Sequence, residues 1–313
     1  MPLPKTVIVF GGSGFIGRNF VQALADRDIH VIGVNRTGCP ISGCAVSLGM
    51  DRLHEISDVP NDVVVVNLAA HCYDSSKFKS SQSEILLKNV ELATAIYHFC
   101  AERDLHEVRL ASSLAVYPAS LNFFDDGVPV DLNQMPNRSE AFYGWSKRWA
   151  EQCAALYQQQ YGINTVAFRL SNPYGPYDST DVNRAHVTPA FILRALSGQP
   201  EFEIKGNPNV ERDFIYVGDV VEVFLQSLQR RGEHRSYNLC TGTSTSIGEL
   251  AREVMRAAGV EKPLLSSGAA VSEIVSRPAS PTRLMEDYDI EEFTPLASGL
   301  RTTIEWYRHE LGR

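Results

Sequence analysis

The chain has 313 residues, 44 % of them apolar, which is enough to bury a large core in one or two domains and argues against a disordered chain. A formal net charge of −8 argues against a nucleic-acid binder, whose partner needs compensating positive charge, although a few local arginines can still hold a small anion. No apolar run reaches bilayer-spanning length, no signal-peptide pattern precedes the first strand, and the six cysteines (39, 44, 72, 100, 153 and 240) lack CxxC or CxxH spacing, so a reduced, cytoplasmic protein without a metal site is expected.

Val7 to Phe10 reads as a buried parallel strand. It runs into glycines at 11, 12, 14 and 17, after which Phe15, Ile16, Phe20, Val21 and Leu24 recur at helical spacing. Strand, tight turn and helix in that order bring backbone N–H groups to a pyrophosphate and lay its charge on a helix N-terminus. Gly11 permits the turn, Gly14 leaves room for phosphate and Gly17 lets the helix close on the strand; Phe15 and Ile16 are grouped with them as cofactor-binding residues. The expected fold class is α/β, a Rossmann-type doubly wound parallel sheet with a smaller C-terminal substrate-binding region. Residues 1–171 form the dinucleotide-binding domain, to which the chain returns around 213–245, and 172–313 are mainly substrate-binding.

A second strand, Val31 to Val34, ends at Asn35 and Arg36, where an acid would accept hydrogen bonds from a ribose 2′-hydroxyl. No acid is present, and an arginine fork suits a 2′-phosphate, so NADP is the expected cofactor with NAD as the alternative. Residues 38–47 read as a loop leading into a short third strand, with Asp51 placed to cap the stretch beyond it and counted among the cofactor residues. Asp62 to Asn67 is another buried strand, and Leu68, Ala69 and Ala70 at its end let a flat ligand lie close. Residues 74–83 read as a polar, mobile loop and 84–102 as a helix; 108–111 form a strand that ends in Ser112 and Ser113, hydroxyls expected to face the crevice. Residues 118–139 read as a lid or wall. The helix over 141–160 carries Trp145 and Trp149, which suggest packing on another helix, with a homodimer expected through this helix and the one at 84–102. Beyond a strand at 165–170, the readings are a turn at Asn172–Pro176, a helix from Pro189, a short strand at 202–205 and a strand at 212–216. A helix capped by Asp219 comes next, then a strand at 237–240, a Ser246/Glu249 capping box and a closing helix from Leu296; the order of 268–283 is undefined.

Ser113, Tyr143 and Lys147 carry the chemistry. Tyrosine and lysine four apart on a helix share a face, and the ammonium stabilises the phenolate. Such a tyrosine can give a proton to, or take one from, an oxygen whose carbon exchanges hydride with a nicotinamide, while the serine positions that oxygen.

GGSGFIG (11–17), VNLAA (66–70), Asn89, SSLAVY (112–117), YGWSK (143–147), NPYGP (172–176), RDFIYVGD (212–219) and GLRTTIEWY (299–307) together resemble an extended short-chain dehydrogenase/reductase of the NAD-dependent epimerase/dehydratase branch acting on nucleotide sugars. The resemblance implies that Ser113, Tyr143 and Lys147 are catalytic and that Asn89 supports the lysine through a water network. It also implies that Arg212 and Arg277 meet a pyrophosphate, with Ser112, Asn172 and His186 among the substrate residues. Leu114 and Ala115 stand where 4,6-dehydratases carry an Asp-Glu pair, so that elimination is not expected, and the related decarboxylases are disfavoured for the same reason. Residues 184–190 resemble the histidine segment of GDP-fucose synthase, but Ala115 replaces that enzyme's partner cysteine. What remains is NADPH-dependent reduction of a nucleotide-linked 4-keto-6-deoxysugar, or a 4-epimerase with tightly held NAD, or, in another class, a non-catalytic dinucleotide-binding regulator. Loops 71–83, 118–140 and 176–188 would carry substrate choice.

Overall fold

The computed structural model describes residues 1–57, 59–60, 62–71, 80–137, 141–266 and 276–312. Residues 74–79 of the expected loop and residues 268–275 of the undefined stretch therefore lie outside the described residues, while Gln82 and Ser83 already belong to a helix. The elements are β1 (Thr6–Phe10), α1 (Phe15–Ala25), β2 (His30–Asn35), β3 (Val46–Gly49), β4 (Val64–Asn67), α2 (Gln82–Glu102), β5 (Glu107–Ser113), α3 (Ala141–Tyr161) and β6 (Asn164–Leu170). They continue with β7 (Asn172–Tyr174), α4 (Val187–Leu196), β8 (Phe202–Ile204), β9 (Glu211–Tyr216), α5 (Val217–Ser227), β10 (Arg235–Leu239), β11 (Ser244–Ser246), α6 (Ile247–Ala258), β12 (Leu264–Ser266), α7 (Thr282–Asp287) and α8 (Leu296–Glu310).

Seven strands form one parallel sheet in the order β3-β2-β1-β4-β5-β6-β10. The chain winds outward from β1 to β3 and then crosses to β4 on the other side, so the winding reverses between β1 and β4. A crevice opens at their carboxyl ends, the place where such sheets hold ligands. All five residues of β1 and all four of β4 are buried, as a strand covered on both faces requires. Val7 and Val9 face a layer with Phe20, Val221 and Phe224 from α1 and α5. Ile8 and Phe10 face the opposite layer, with Ile96, Phe99 and Cys153 from α2 and α3. A third cluster, built from Phe191, Phe202, Leu250, Leu300 and Tyr307, unites α4, α6 and α8.

Several local readings change. Asn172–Tyr174 is a strand, not only a turn, because it pairs in parallel with β9. Asp219 does not cap α5: Tyr216 holds the cap position, and the Asp219 carboxylate accepts from Thr294 N at 2.9 Å and Oγ1 at 2.7 Å. Gly49, not Asp51, precedes the short 3-10 turn at Met50–Glu55. The Ser246 reading holds, its Oγ accepting from Glu249 N at 3.0 Å. Trp149 packs within the chain, its indole N–H donating to Thr94 Oγ1 of α2 at 3.0 Å.

The 118–137 segment is a strapped wall. Phe124 N donates to Pro278 O at 2.9 Å, Ser280 N donates to Phe124 O at 2.8 Å, and Ala119 N donates to Met135 O at 2.9 Å. Arg148, buried on α3, donates through Nε to Val116 O at 2.7 Å and through Nη1 to Leu132 O at 2.8 Å.

Candidate active site

The glycine turn is closed on itself. Gly11 has φ +83°, and its N–H donates to Val34 O at 2.9 Å while its carbonyl accepts from Gly14 N at 3.0 Å. A Cβ on Gly11 would stand 2.7 Å from the backbone of Ala69, and one on Gly17 would stand 2.1 Å from Gly11 O. A Cβ on Gly14 would meet one atom within 4 Å, Gly11 O at 3.3 Å, and otherwise project into open space. α1 starts at this point without a side-chain cap. First-turn amides of Phe15, Ile16 and Gly17 have no acceptor within the helix and are donors suited to a phosphate. The residues present therefore fit a dinucleotide. Across the crevice, Leu68 N donates to Phe10 O at 2.9 Å and Ala69 N to Asn67 Oδ1 at 3.1 Å, which lays the small residues Ala69 and Ala70 along the turn.

At the end of β2, Arg36 is exposed. Asn35, expected at the cofactor, instead builds the turn behind it. Its Oδ1 accepts from Thr37 N at 3.0 Å and Gly38 N at 2.7 Å, and its Nδ2 donates to Cys39 O at 2.8 Å. Asp51 lies exposed beside the same strand ends, in the turn after β3.

Tyr143 and Lys147 lie in the first two turns of α3, with Lys147 Nζ 5.7 Å from the centre of the Tyr143 ring. Lys147 is buried and donates to Ala111 O at 2.7 Å, two residues before Ser113. Ser113 closes β5, partly exposed, its Oγ accepting from Ala115 N at 3.2 Å in the short turn Leu114–Val116. Asn89, buried on α2, holds the loop after β4: its Oδ1 accepts from His71 N at 2.8 Å, and its Nδ2 donates to His71 O at 2.9 Å and Ile85 O at 2.8 Å. Asn67, Asn89, Ser146 and Lys147 line a cavity of about 10 Å³, room for one water. Asn67 and Ser146 lie within the VNLAA and YGWSK segments, which by themselves assign neither residue a role.

The expected substrate residues do not share one environment. Ser112 is buried on the far side of the strand end and donates to Glu151 Oε1 at 2.6 Å, which takes it out of the crevice. Asn172 Nδ2 donates to Asp213 O at 2.8 Å. Arg212, partly buried on β9, donates to Glu211 O at 2.7 Å. The Asp213 carboxylate accepts from Ser171 and Thr241, and that of Asp219 from Thr294. Arg277 lies over the Phe124 ring at 5.7 Å and donates to Ala119 O at 3.2 Å, on the wall. His186 precedes α4 with its ring exposed and its Nδ1 3.7 Å from the buried Asp178 carboxylate, and pairing with Asp178 raises the imidazole pKa. Nothing in the spacing of the sequence marked Asp178.

The model of the NAD dependent epimerase/dehydratase family matches residues 7–240. The chain belongs to this family. A dTDP-4-dehydro-6-deoxy-D-allose reductase of Streptomyces bikiniensis is 32 % identical over 97 % of this chain and 97 % of its own length. A putative UDP-glucose 4-epimerase of Methanocaldococcus jannaschii is 29 % identical over 78 % of this chain and 79 % of its own. Among solved structures, the Thermotoga maritima UDP-glucose 4-epimerase with UDP-glucose has a TM-score of 0.82 at 23 % identity, covering 98 % of this chain and 99 % of that one. This family member thus shares its fold with epimerases, and it shares sequence over nearly its full length with a reductase.

Proposed function

We propose that this protein reduces the C4 carbonyl of a nucleoside-diphosphate 4-keto-6-deoxysugar. The observation that carries the proposal is the placement of Tyr143 over Lys147, with Lys147 fixed to the strand end that bears Ser113. The 32 % identity to a 4-dehydro-6-deoxysugar reductase supports the same substrate class.

In this reading the amides at the start of α1, Ala69 and Ala70 and the Arg36 guanidinium hold NADPH, Arg36 facing the 2′-phosphate. The bound cofactor supplies a hydride. Ser113 Oγ and the Tyr143 hydroxyl donate hydrogen bonds to the C4 oxygen and polarise the carbonyl. As C4 becomes tetrahedral, Tyr143 gives its proton to that oxygen, leaving an alcohol and a phenolate. Lys147 stabilises the phenolate, and the water-sized cavity beside it, reached by Asn89, opens a route for a proton to return. Arg212 and Arg277 offer two positive charges for the pyrophosphate. Leu114 and Ala115 give no acid for removing water from the sugar, so reduction is not accompanied by elimination.

The protein works in the cytoplasm as a homodimer through α2 and α3. Leu87, Trp149 and Leu156 on these helices are exposed apolar side chains that a second copy would cover. The likeness to a 4-epimerase favours a second reading, in which the same Ser113, Tyr143 and Lys147 serve both directions of a reversible oxidation at C4. Cofactor content of the purified protein separates the two. Protein that arrives empty and prefers NADPH over NADH by about tenfold, some 1.4 kcal/mol, fits the reductase. Protein that arrives with stoichiometric, non-exchanging NAD overturns the reductase in favour of the epimerase.

A further inference from the structure

A buried ion pair stands directly behind the strand end that carries Ser113. Glu151 comes after Tyr143 and Lys147 at the same four-residue spacing, so the three side chains make one stripe along α3. Its carboxylate accepts from Arg169 of β6 twice, from Nη2 at 2.7 Å and Nε at 3.0 Å. Its Oε1 also accepts from Ser112 Oγ at 2.6 Å. All three residues are buried. Ala111 is thereby held through its carbonyl by Lys147, and Ser112 through its hydroxyl by Glu151. Strand alternation then turns Ser113 to the opposite face. Arg169 extends the contact, donating through Nη1 to Tyr117 Oη at 3.2 Å and lying 5.0 Å over that ring. Tyr117 in turn donates to Asn238 Oδ1 at 2.8 Å, and Asn238 Nδ2 reaches the wall at Phe124 O, 3.0 Å.

Removing two charges from water is costly, and an apolar pair of similar volume would stabilise such a position at least as well. What the polar arrangement adds is fixed geometry at a place where small displacements of reacting groups cost rate. It also adds a negative charge among cations. The groups set against Glu151 are Arg148 on its own helix, Ser112 on β5, Arg169 on β6 with Tyr117 behind it, and Tyr97 on α2, and Lys147 precedes it by one helical turn. Tyr143 has Lys147 beneath it.

We propose that Glu151, acting through Ser112 and Arg169, is a positioning residue: it fixes the strand end bearing Ser113, and its charge moderates the positive field beneath the Tyr143 phenol. The proposal rests on the assignment of Ser113, Tyr143 and Lys147 to catalysis made above.

The test uses the full chain with Ser112→Ala, Ser112→Thr and Glu151→Gln, assayed with NADPH and a dTDP-4-keto-6-deoxyhexose. Ser112→Ala keeps the ion pair and cuts only its link to the strand. We expect it to melt near wild type and to lose about tenfold in kcat, with KM and NADPH affinity each changed less than about threefold. Ser112→Thr, which restores the hydroxyl, should recover most of that loss. In Glu151→Gln the Tyr143 phenol should titrate about half a pH unit lower or more, because a compensating negative charge has gone. That titration is read as phenolate absorbance against the corresponding Tyr143→Phe protein and needs no substrate. Should wild type prove inactive on 4-keto and 4-hydroxy sugars alike, the functional reading fails and the titration still decides the role of Glu151. Should Glu151→Gln not fold, the two Ser112 variants decide it. The proposal is overturned by a Ser112→Ala protein that keeps kcat within about twofold, by parallel losses in kcat, KM and cofactor affinity, by a Ser112→Thr protein that recovers nothing, or by an unmoved phenol titration.

Discussion

Tyr143 stands one helical turn from a lysine whose ammonium is spoken for by a strand carbonyl, so the phenol meets a fixed charge, not a mobile one. Replacing Tyr143 by Phe is expected to lower kcat by about a hundredfold to ten-thousandfold with the melting temperature unchanged, measured by NADPH oxidation and thermal denaturation. Arg36 is exposed at the end of β2, and Arg36→Ser should cost NADPH about tenfold in affinity while NADH binding stays level, read by fluorescence titration. The glycines divide in the same way. Gly14→Ala should fold and bind cofactor poorly, because the added methyl points into open space; Gly17→Ala should fail to fold stably, because its methyl would stand 2.1 Å from Gly11 O. Circular dichroism with cofactor titration distinguishes the two. These residues were legible in the sequence because glycine spacing and the Tyr-x-x-x-Lys interval express geometry along one element. Ser112 is not legible, since its partner is a carboxylate on another element, set by tertiary packing; Asn35 spends its side chain on a local turn with Thr37, Gly38 and Cys39, which the strand-end rule for cofactor residues does not weigh.

At the scale of elements, β5 and α5 are tied by one buried side chain. Arg109 on β5 is 0 % exposed and donates through Nε to Ser227 O at 2.9 Å and through Nη2 to Arg230 O at 2.5 Å, meeting the negative end of α5. Its Nη1 pairs with Glu107 at 3.0 Å. Arg109→Met leaves these acceptors buried, and a loss of about 3 kcal/mol is expected in urea unfolding. The start of α4 should carry a pH signature. Asp178 raises the His186 pKa, so the folded state holds its proton more tightly than the unfolded chain. The stabilisation is therefore full below the ordinary histidine pKa and is lost as pH rises through the raised value. Melting temperatures of wild type and Asp178→Asn should differ at acidic pH and converge toward alkaline pH. The long, strongly patterned elements were readable from the chain. Of the three-residue strands, β8 is legible as the short strand at 202–205, whereas β7, β11 and β12 are not, because a single alternation is too little pattern and each exists only through its partner.

For the molecule as a whole, the apolar surface of α2 and α3 is expected to join two copies. Leu156→Glu should convert a dimer to a monomer in sedimentation velocity while leaving the melting profile of the isolated subunit intact. The doubly wound order was legible because buried strands alternate with helices up to Leu170. Beyond that point the regular alternation ends, and the C-terminal cluster of Phe191, Phe202, Leu250 and Leu300 draws on elements spread over more than a hundred residues, a closure that local pattern does not encode.

The last strand of the main sheet, β10, pairs with β6 along its whole length, from Arg235 opposite Val166 to Leu239 opposite Leu170. During synthesis, then, the sheet is incomplete when the first 171 residues have emerged, and β6 waits as an open edge while more than sixty further residues are made. A ribosome-bound or truncated fragment ending at 171 should aggregate or recruit chaperones, whereas one extended past β10 should not. The portion that would grip the substrate is thus spliced into the maturation of the portion that would grip the cofactor, and neither can be inherited or engineered as a separate block by a cut at 171.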